Sequence, residues 1–508
     1  MAMDPTIGGA DEAHQTFRDA LASVHQDGRR KWIYARQPSG RFYSARTLVA
    51  IALLAFLIGA PFVHVDGQPL ILLNVLERRF VLFGLVFWPQ DFALVVLLAL
   101  TAIVTLALST AAVGRVWCGW LCPQTVFLEM VFRRIEYLID GSAEQQVRRD
   151  AAPWTAAAWL RAGLKHAIFF ALSFGIANVF LAYIIGAGPL WTIVTDPPAR
   201  HLGGLTAITI FSLLFYGVFA RFREQACVLA CPYGRVMSSL IDRRTITVTY
   251  DTRRGEPRGP VSRQTAPGAA SPGDCVDCAR CVTVCPTGID IRNGIQLECV
   301  NCTACMDACD DVMTRLRRPR GLIRLTSHDA IEHRRSTWLN RRVLAYAVVW
   351  LVLVTGVTTL VARRDDLDVL ILRQAGTLHV TLPDGAVGNF YTVQVFNRTH
   401  DAVPFTIAVV APSASAVTPL GLASHVEPYA LSEGRVLVAI PSARLAGPAT
   451  AVRFVIRVPG EPDRFVDSSF LAPGVHGRDE HHESHESRTP HDTPERRDTP
   501  ERHDKEHP

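Results

Sequence analysis

All twelve cysteines of this chain fall in four short motifs, and these motifs carry the chemistry it can do. Eight of them form two runs of one spacing, Cys275-x2-Cys278-x2-Cys281-x3-Cys285-Pro286 and Cys299-x2-Cys302-x2-Cys305-x3-Cys309. Thiolates so spaced hold iron–sulfur cubanes, and the fourth cysteine of each run ligates the other run's cluster. The spacing predicts two 4Fe-4S clusters, one on Cys275, Cys278, Cys281 and Cys309 and the second on Cys299, Cys302, Cys305 and Cys285. Such a chain moves single electrons. A disulfide framework belongs to small secreted domains, and a zinc site needs four cysteines rather than eight.

The other four cysteines form two further pairs, Cys118-x3-Cys122-Pro123 and Cys227-x3-Cys231-Pro232. Each pair follows a long apolar run, so both are expected at the same membrane surface, where they can converge on one ion. An i, i+4 spacing puts two side chains on one helical face. Proline after the second cysteine suits instead the first turn of a new helix, where backbone amides lower a thiol's pKa. Soft thiolate selects Cu(I), zinc or iron–sulfur. Four readings stay open from the residues alone: a copper site, a structural zinc or third cluster, a reversible disulfide relay, and inert buried thiols. Met130 and Met237 offer thioethers to Cu(I), though a helical methionine is more simply packing. Trp117 and Trp120 read as interfacial anchors. His64 and His166 are candidate ligands or proton carriers, and more simply satisfied interfacial histidines.

The elements that must position these thiols are membrane helices. Apolar runs over residues 48–65, 92–113, 164–187, 205–222 and 343–362 approach or exceed the length that crosses a bilayer. A shorter run, 80–88, stops at Pro89 and is expected to be interfacial or re-entrant. Arg29, Arg30, Lys31, Arg36, Arg41 and Arg46 precede the first span, and Arg115, Arg133, Arg134, Arg148 and Arg149 follow the second. The segment after the fourth span is also dense in arginine, whereas the other loops carry only Arg78, Arg79 and Arg200. The positive-inside rule then puts the N-terminus and the eight-cysteine segment in the cytoplasm and the chain beyond the fifth span on the far side. No cleavable signal peptide is expected, because the first apolar run begins only near residue 48.

The fold class expected is multi-domain: an α-helical membrane bundle of five spans, an inserted two-cluster ferredoxin-like module, and a C-terminal β-sandwich. Residues 1–46 form a cytoplasmic N-terminal segment and 47–241 the first four spans with both Cys-x3-Cys-Pro motifs. Residues 242–341 hold the cluster module with its Pro/Gly/Arg-rich linker, which is basic enough to meet membrane lipid headgroups, and 342–363 the fifth span. Alternating β-rich runs separated by turn residues mark 364–474 as the sandwich. Residues 475–508 are polar, histidine-rich and expected to be disordered. The net charge of +5 comes from the arginine-rich face. The basic stripes interleaved with aromatics that bind nucleic acid are absent from the sequence, so no nucleic-acid partner is expected.

Further motifs stand around the cysteines. They are Ser39–Gly40–Arg41–Phe42, Phe83–Gly84–Leu85–Val86–Phe87–Trp88–Pro89–Gln90–Asp91, Trp117–Cys118–Gly119–Trp120–Leu121–Cys122–Pro123–Gln124–Thr125, Arg254–Gly255–Glu256–Pro257–Arg258–Gly259 and Cys285–Pro286–Thr287–Gly288–Ile289–Asp290–Ile291. In order and context they resemble the cytochrome c oxidase accessory protein family, CcoG/FixG, over about residues 31–474. The resemblance implies a bacterial inner-membrane, multi-pass protein with two 4Fe-4S clusters and an immunoglobulin-like C-terminal domain in the periplasm. It implies a cupric reductase that supplies Cu(I) for assembly of a cbb(3)-type cytochrome c oxidase. The family's cluster ligands fall on the eight cysteines above, and its membrane-proximal pairs on Cys118, Cys122, Cys227 and Cys231. The partners implied are a cytoplasmic electron donor, a copper carrier or transporter, and the oxidase assembly machinery. Two alternatives follow from the same residues: an electron-transfer subunit serving a quinone or a periplasmic partner, and a redox-sensing assembly scaffold.

Overall fold

The structure is a computed structural model that describes residues 22–24, 27, 29–260, 273–333, 340–376, 379–413, 415–445 and 447–472. The histidine-rich tail, most of the first two dozen residues and part of the Pro/Gly linker lie outside the described residues. The chain divides into two compact units, Met1–Asp366 and Leu367–Pro508.

Five helices of the first unit are long and apolar enough to cross a membrane: α1 (Arg41–Gly59), α2 (Phe92–Val113), α3 (Ala156–Ile185), α4 (Leu202–Gly217, running on through a wider turn to Phe222) and one introduced below. Within the protein only 6% of the most apolar window of α2 is buried, and 22% of that of α3. Helices apolar all round yet so little covered need lipid as their solvent. This is a multi-pass membrane protein. The first span starts seven residues before the apolar run at 48 and ends before it, because Gly59 to Pro61 turn the chain out of the helix. The run at 80–88 is a pair of strands rather than a re-entrant loop. It forms β2 (Arg79–Leu82) and β3 (Leu85–Phe87), which pair with β1 (Ile71–Asn74) in an antiparallel sheet. Phe83 and Gly84, both at positive φ, make the two-residue turn that a right-twisted hairpin requires.

Between α4 and the last span lies the cysteine-rich module. Its strands β4 (Thr247–Tyr250) and β5 (Ile323–Thr326) pair antiparallel, and its longest helix is α5 (Ala304–Arg315). A small core of Val248, Tyr250, Ile291, Met306, Met313 and Leu322 holds it together. The fifth span, α6 (Arg341–Ala362), starts at a capping residue, Asn340, whose Oδ1 accepts the amide of Val343 at 2.8 Å.

The module is tied to the ends of two spans. At the start of α1 the amides of Phe42 and Tyr43 donate to the two carboxylate oxygens of Asp307 at 3.2 and 2.8 Å. Asp307 lies on α5, so a residue far along the chain caps the first span and meets the positive end of its dipole. Gly40 makes this approach feasible: it sits at φ +147, and a Cβ there would lie 2.3 Å from the Asp307 carboxyl carbon. At the end of α2 the carbonyls of Ala111, Ala112 and Val113 accept from Thr245 Oγ1, the Ile246 amide and Asn301 Nδ2 at 3.1, 3.1 and 3.4 Å. These are the carbonyls a helix leaves without intrahelical partners.

A second tie is ionic and buried. Arg133 pairs with Glu129 and Glu224, Arg223 with Glu136 and Glu224, and Arg30 reaches Glu224 at 2.9 Å. Arg133, Arg223, Glu129, Glu136 and Glu224 are all less than a tenth exposed. Trp32 lies under both Arg30 and Arg223, 4.5 and 4.8 Å from their guanidinium carbons. The network clamps the chain just before Cys227 to the chain just after Cys122. Beside it Phe132 stacks on Phe219 at 4.7 Å and meets Phe169 edge-on at 4.9 Å.

The second unit is an immunoglobulin-like β-sandwich. One sheet runs in the order Ala416–Leu420 (β8), Leu431–Ile440 (β9), Val387–Asn397 (β7) and Leu367–Arg373 (β6), with Val380–Thr381 paired to β7. The other runs Thr406–Ala411, Ala449–Arg457, Arg464–Leu471. Alternate residues of β7, Tyr391, Val393 and Val395, point inward and are fully buried with Val436, Val438, Phe454 and Phe470. Tyr391 places its hydroxyl 3.0 Å from the Ser469 carbonyl and its ring edge-on to Phe454.

Two outcomes test the ties of the first unit. Asp307→Ala is expected to cost about 1–2 kcal/mol, read as a lower Tm of the detergent-solubilised protein, with Asp307→Asn retaining most of the stability. An unchanged Tm for the alanine variant would refute the cap. Glu224→Ala leaves three arginines without their shared partner and is expected to cost on the order of 3–5 kcal/mol, whereas Glu461→Ala, at a more exposed pair in the second unit, should cost no more than about 1 kcal/mol.

Candidate metal centres

Each of the two four-cysteine runs begins with the same backbone. Asp277 and Ala279 flank Cys278 at φ +53 and +51, and Asn301 and Thr303 flank Cys302 at φ +53 and +63. Left-handed residues on both sides of a middle cysteine wrap the chain around a point, at a conformational cost repaid only when something occupies that point. A helix follows each wrap: Arg280–Thr283 carries the third cysteine of its run, with Cys285 just beyond it, and α5 carries both the third and the fourth of the other.

Two cavities lie inside these wraps. One, with an empty volume of about 360 Å³, is lined by Cys275, Cys278, Cys281 and Cys309. The other, about 350 Å³, is lined by Cys285, Cys299, Cys302 and Cys305. These are the two sets that the spacing predicts, including the exchanged fourth cysteine. Cys281 also reaches the second cavity. Burial pushes the thiols of Cys281, Cys299 and Cys309 up to about 12 and that of Cys302 up to about 11. Thiols this deep ionise only against bound metal. Donor type and burial fit a pair of iron–sulfur clusters. At the outer end Cys278 is exposed, while its neighbours Cys275 and Cys281 are buried.

The two Cys-x3-Cys-Pro pairs share one local structure. Trp117–Leu121 and Ala226–Ala230 are π-helical turns, a form that gathers at functional sites. In each the amide of the second cysteine donates five residues back, Cys122 to Trp117 at 2.8 Å and Cys231 to Ala226 at 2.9 Å. Cys122 and Cys231 then turn extended and precede Pro123 and Pro232, the first residues of new helices. The pairs converge. Cys118 lies within electrostatic reach of Cys122 and Cys231, and Cys227 within reach of all three others. Burial raises Cys118, with Arg115 opposing, and pushes Cys227 up to about 12, with a hydrogen bond to Thr125 opposing. No three of these thiols close to single-ion spacing: among the described residues the one group of three or more donors within 4.8 Å is Asp329, Glu332 and His333. Arg243 and Arg244 neutralise that trio.

Gly119, between Cys118 and Trp120, joins the two kinds of site. A Cβ there would lie 2.4 Å from the Val300 carbonyl oxygen and 3.0 Å from Cys302 Cα, so the membrane-surface turn meets the second cluster loop backbone to backbone. Arg46 Nε donates to the Gly119 carbonyl at 2.7 Å, and Arg115 donates to the Leu297 carbonyl. The sequence reading took neither arginine beyond its topological charge. A charged residue inside a helical span, as Arg46 proves to be, was the available signal. Met130 packs in a core with Ala50 and Val126, His166 is held by Tyr216 at 2.9 Å, and His64 lies past the opposite end of α1 from Arg46. None of the three is brought to the thiols. Met237 is buried in the helix after Cys231, and Trp117 and Trp120 border Cys118 with partial exposure.

Three domain families match along the chain. Residues 92–139 match a 4Fe-4S binding domain, 222–328 a 4Fe-4S dicluster domain, and 357–473 the IG-like fold at the C-terminal of FixG. The chain is 31% identical over 498 residues to nitrogen fixation protein FixG of Rhizobium meliloti, an alignment covering 89% of this chain and 94% of that one. It is 36% identical over 394 residues to protein RdxA of Cereibacter sphaeroides, covering 74% and 82%. Among solved structures, a FixG-related protein from Vibrio parahaemolyticus aligns with 21% of this chain and 97% of its own length, at 20% identity and a TM-score of 0.19. With a relative this similar over nearly its whole length and the cluster and IG-like domains in one chain, the protein belongs to the FixG family of bis-4Fe-4S membrane proteins and is a membrane iron–sulfur electron-transfer protein.

Proposed function

We propose that the protein reduces Cu(II) to Cu(I) at the membrane surface, with the cluster module as electron source and the four thiols of Cys118, Cys122, Cys227 and Cys231 as the copper terminus. The observation that carries this reading is the contact of the Cys118 turn with the Cys302 loop at Gly119. It supports a short route from an exposed sulfur at Cys278 to soft ligands at the bilayer, of which Cys118 is buried. Cys275, Cys278, Cys281 and Cys309 are the ligands of the outer cluster, and Cys285, Cys299, Cys302 and Cys305 those of the membrane-proximal one. Bound there, the clusters supply storage and transfer of one electron at a time. The chain's own residues do the rest. Positive φ at Asp277, Ala279, Asn301 and Thr303 shapes the two cradles, and Asp307 and Asn301 hold the module on the spans.

The stoichiometry is simple: a reduced one-electron carrier loses one electron, and Cu(II) gains it. Thiolate sulfur then retains Cu(I) against Cu(II), and a copper carrier removes it by ligand exchange. The basic residues around α1, α2 and α4 support a reading with this face in the cytoplasm and the sandwich in the periplasm of a bacterial inner membrane. The product serves assembly of a cbb(3)-type cytochrome c oxidase, with the sandwich as docking module.

The test is anaerobic. Reduced holoprotein is mixed with Cu(II), and cluster bleaching is followed together with Cu(I) captured by a chromogenic chelator, for the wild type and for Cys118→Ser/Cys227→Ser. One Cu(I) per electron lost from the clusters, falling at least tenfold in rate in the double variant, is the expected result. Clusters that stay reduced in the presence of copper, or a variant as fast as wild type, would shift the assignment to an electron-transfer subunit for another acceptor. Iron removal gives a separate outcome. Stripping iron from the holoprotein should leave residues 242–333 open to proteolysis while the sandwich, 367–472, stays resistant, because only the module's small core depends on metal.

A further inference from the structure

Arg46 and Arg115 are buried to 2% and 3% exposure. Each makes a hydrogen bond to a backbone carbonyl, Gly119 for one and Leu297 for the other, and neither forms an ion pair among the described residues. Nη2 of Arg46 and Nε of Arg115 are buried with no hydrogen-bond partner. A guanidinium is always charged, and burying one without a counter-charge is costly enough that an anion must stand nearby. Both point to the same place. Arg46 is the leading charge acting on Cys302, and Arg115 acts on Cys299 while hydrogen-bonding Cys118.

Among the described residues no acid around this centre pairs with Arg46 or Arg115. Glu129 is paired with Arg133, Glu298 accepts the Ala22 amide at 3.3 Å, and Asp307 caps α1. The outer centre is built the other way. Its two arginines are each matched, Arg292 by Asp290 at 2.6 Å and by Asp277, and Arg280 by Asp311 at 2.7 Å. Asp310, beside Cys309, adds a carboxylate there that Arg41 meets at 3.4 Å. Among the described residues the membrane-proximal centre therefore has two buried arginines outside any ion pair, whereas Arg280 and Arg292, which line the outer cavity, are both paired.

A cubane on four thiolates is anionic and becomes more so on reduction, so adjacent positive charge raises its potential. Water at Cys278 favours reduction of the outer centre as well. Two whole charges in a medium of low effective dielectric act more strongly than solvent at a single sulfur. We propose that Arg46 and Arg115 are the counter-charge of the membrane-proximal cluster and make it the higher-potential member of the pair, so that an electron accepted at Cys278 runs toward the membrane. They are positioning residues. This inference rests on the assignment of the eight cysteines to two clusters, and the iron and acid-labile sulfide content of each sample checks that assignment separately.

The experiment is a redox titration of the purified holoprotein followed by electron paramagnetic resonance, on the wild type and on Arg46→Gln, Arg115→Gln and the lysine counterpart of each. Either glutamine variant should shift the sharing of the first electron between the clusters at least tenfold toward the outer one, which is 59 mV for a one-electron couple. The lower potential should stay in place, and lysine should restore most of the shift. Glutamine variants with full iron and sulfide and both potentials unchanged would overturn the proposal. The wild type alone gives a second test that needs no variant to fold. At the half-reduced point the signal should be insensitive to a soluble dysprosium chelate, because the reduced cluster is the buried one. A signal strongly relaxed by the chelate would place the first electron at Cys278 and refute the proposed direction. Iron short of two clusters in the wild type would instead remove the assignment beneath it.

Discussion

An α-helix leaves its first amides and last carbonyls without internal partners, and near a membrane those groups must be met by something other than lipid. In this chain the start of α1 is met by Asp307 and the end of α2 by Thr245, Ile246 and Asn301. Asp307 and Asn301 stand within the second cysteine run. The same short segment therefore shapes a metal cradle and terminates two spans. The module's distance from the membrane is fixed by hydrogen bonds of about 3 Å rather than by a tether, as a one-electron path demands.

The electrostatics follow from that docking. Arg46, Arg115 and the Arg133–Glu224–Arg223 network lie buried, full charges in surroundings where each unpaired ion costs several kcal/mol. Within the network the ions satisfy one another, and its role is to hold the two Cys-x3-Cys-Pro turns side by side. Arg46 and Arg115 have no such partners, and the anionic metal centre is what their burial awaits. The raised thiols of the module complete the argument: cations without anions and thiols without protons to spare describe a fold finished by its metal.

The sandwich obeys different physics. Its core of Tyr391, Val393, Val436, Val438, Phe454 and Phe470 is closed by alternation along paired strands and owes nothing to metal or lipid. It is a self-sufficient body. No cluster ligand or thiol lies in it.

Much of this was legible in the residues. Five apolar runs fixed the spans because a bilayer asks only for length and hydropathy, and the cysteine spacing foretold which thiols would share a cavity because cubane geometry leaves little choice. The run at 80–88 misled, since an apolar stretch of strand length reads the same for a lipid-facing segment and a hairpin until Phe83 and Gly84 are seen at positive φ. The first span misled at its start, because residues 41–47 are polar enough to look like loop, and only a carboxylate more than 250 positions away makes them helical. Local pattern determined the elements and the ligand types. The meeting of Gly119 with Val300, the convergence of Cys118 with Cys227, and the two arginines without partners were decided by tertiary structure alone, because each depends on contacts between segments whose separation in sequence carries no signal of their distance in space.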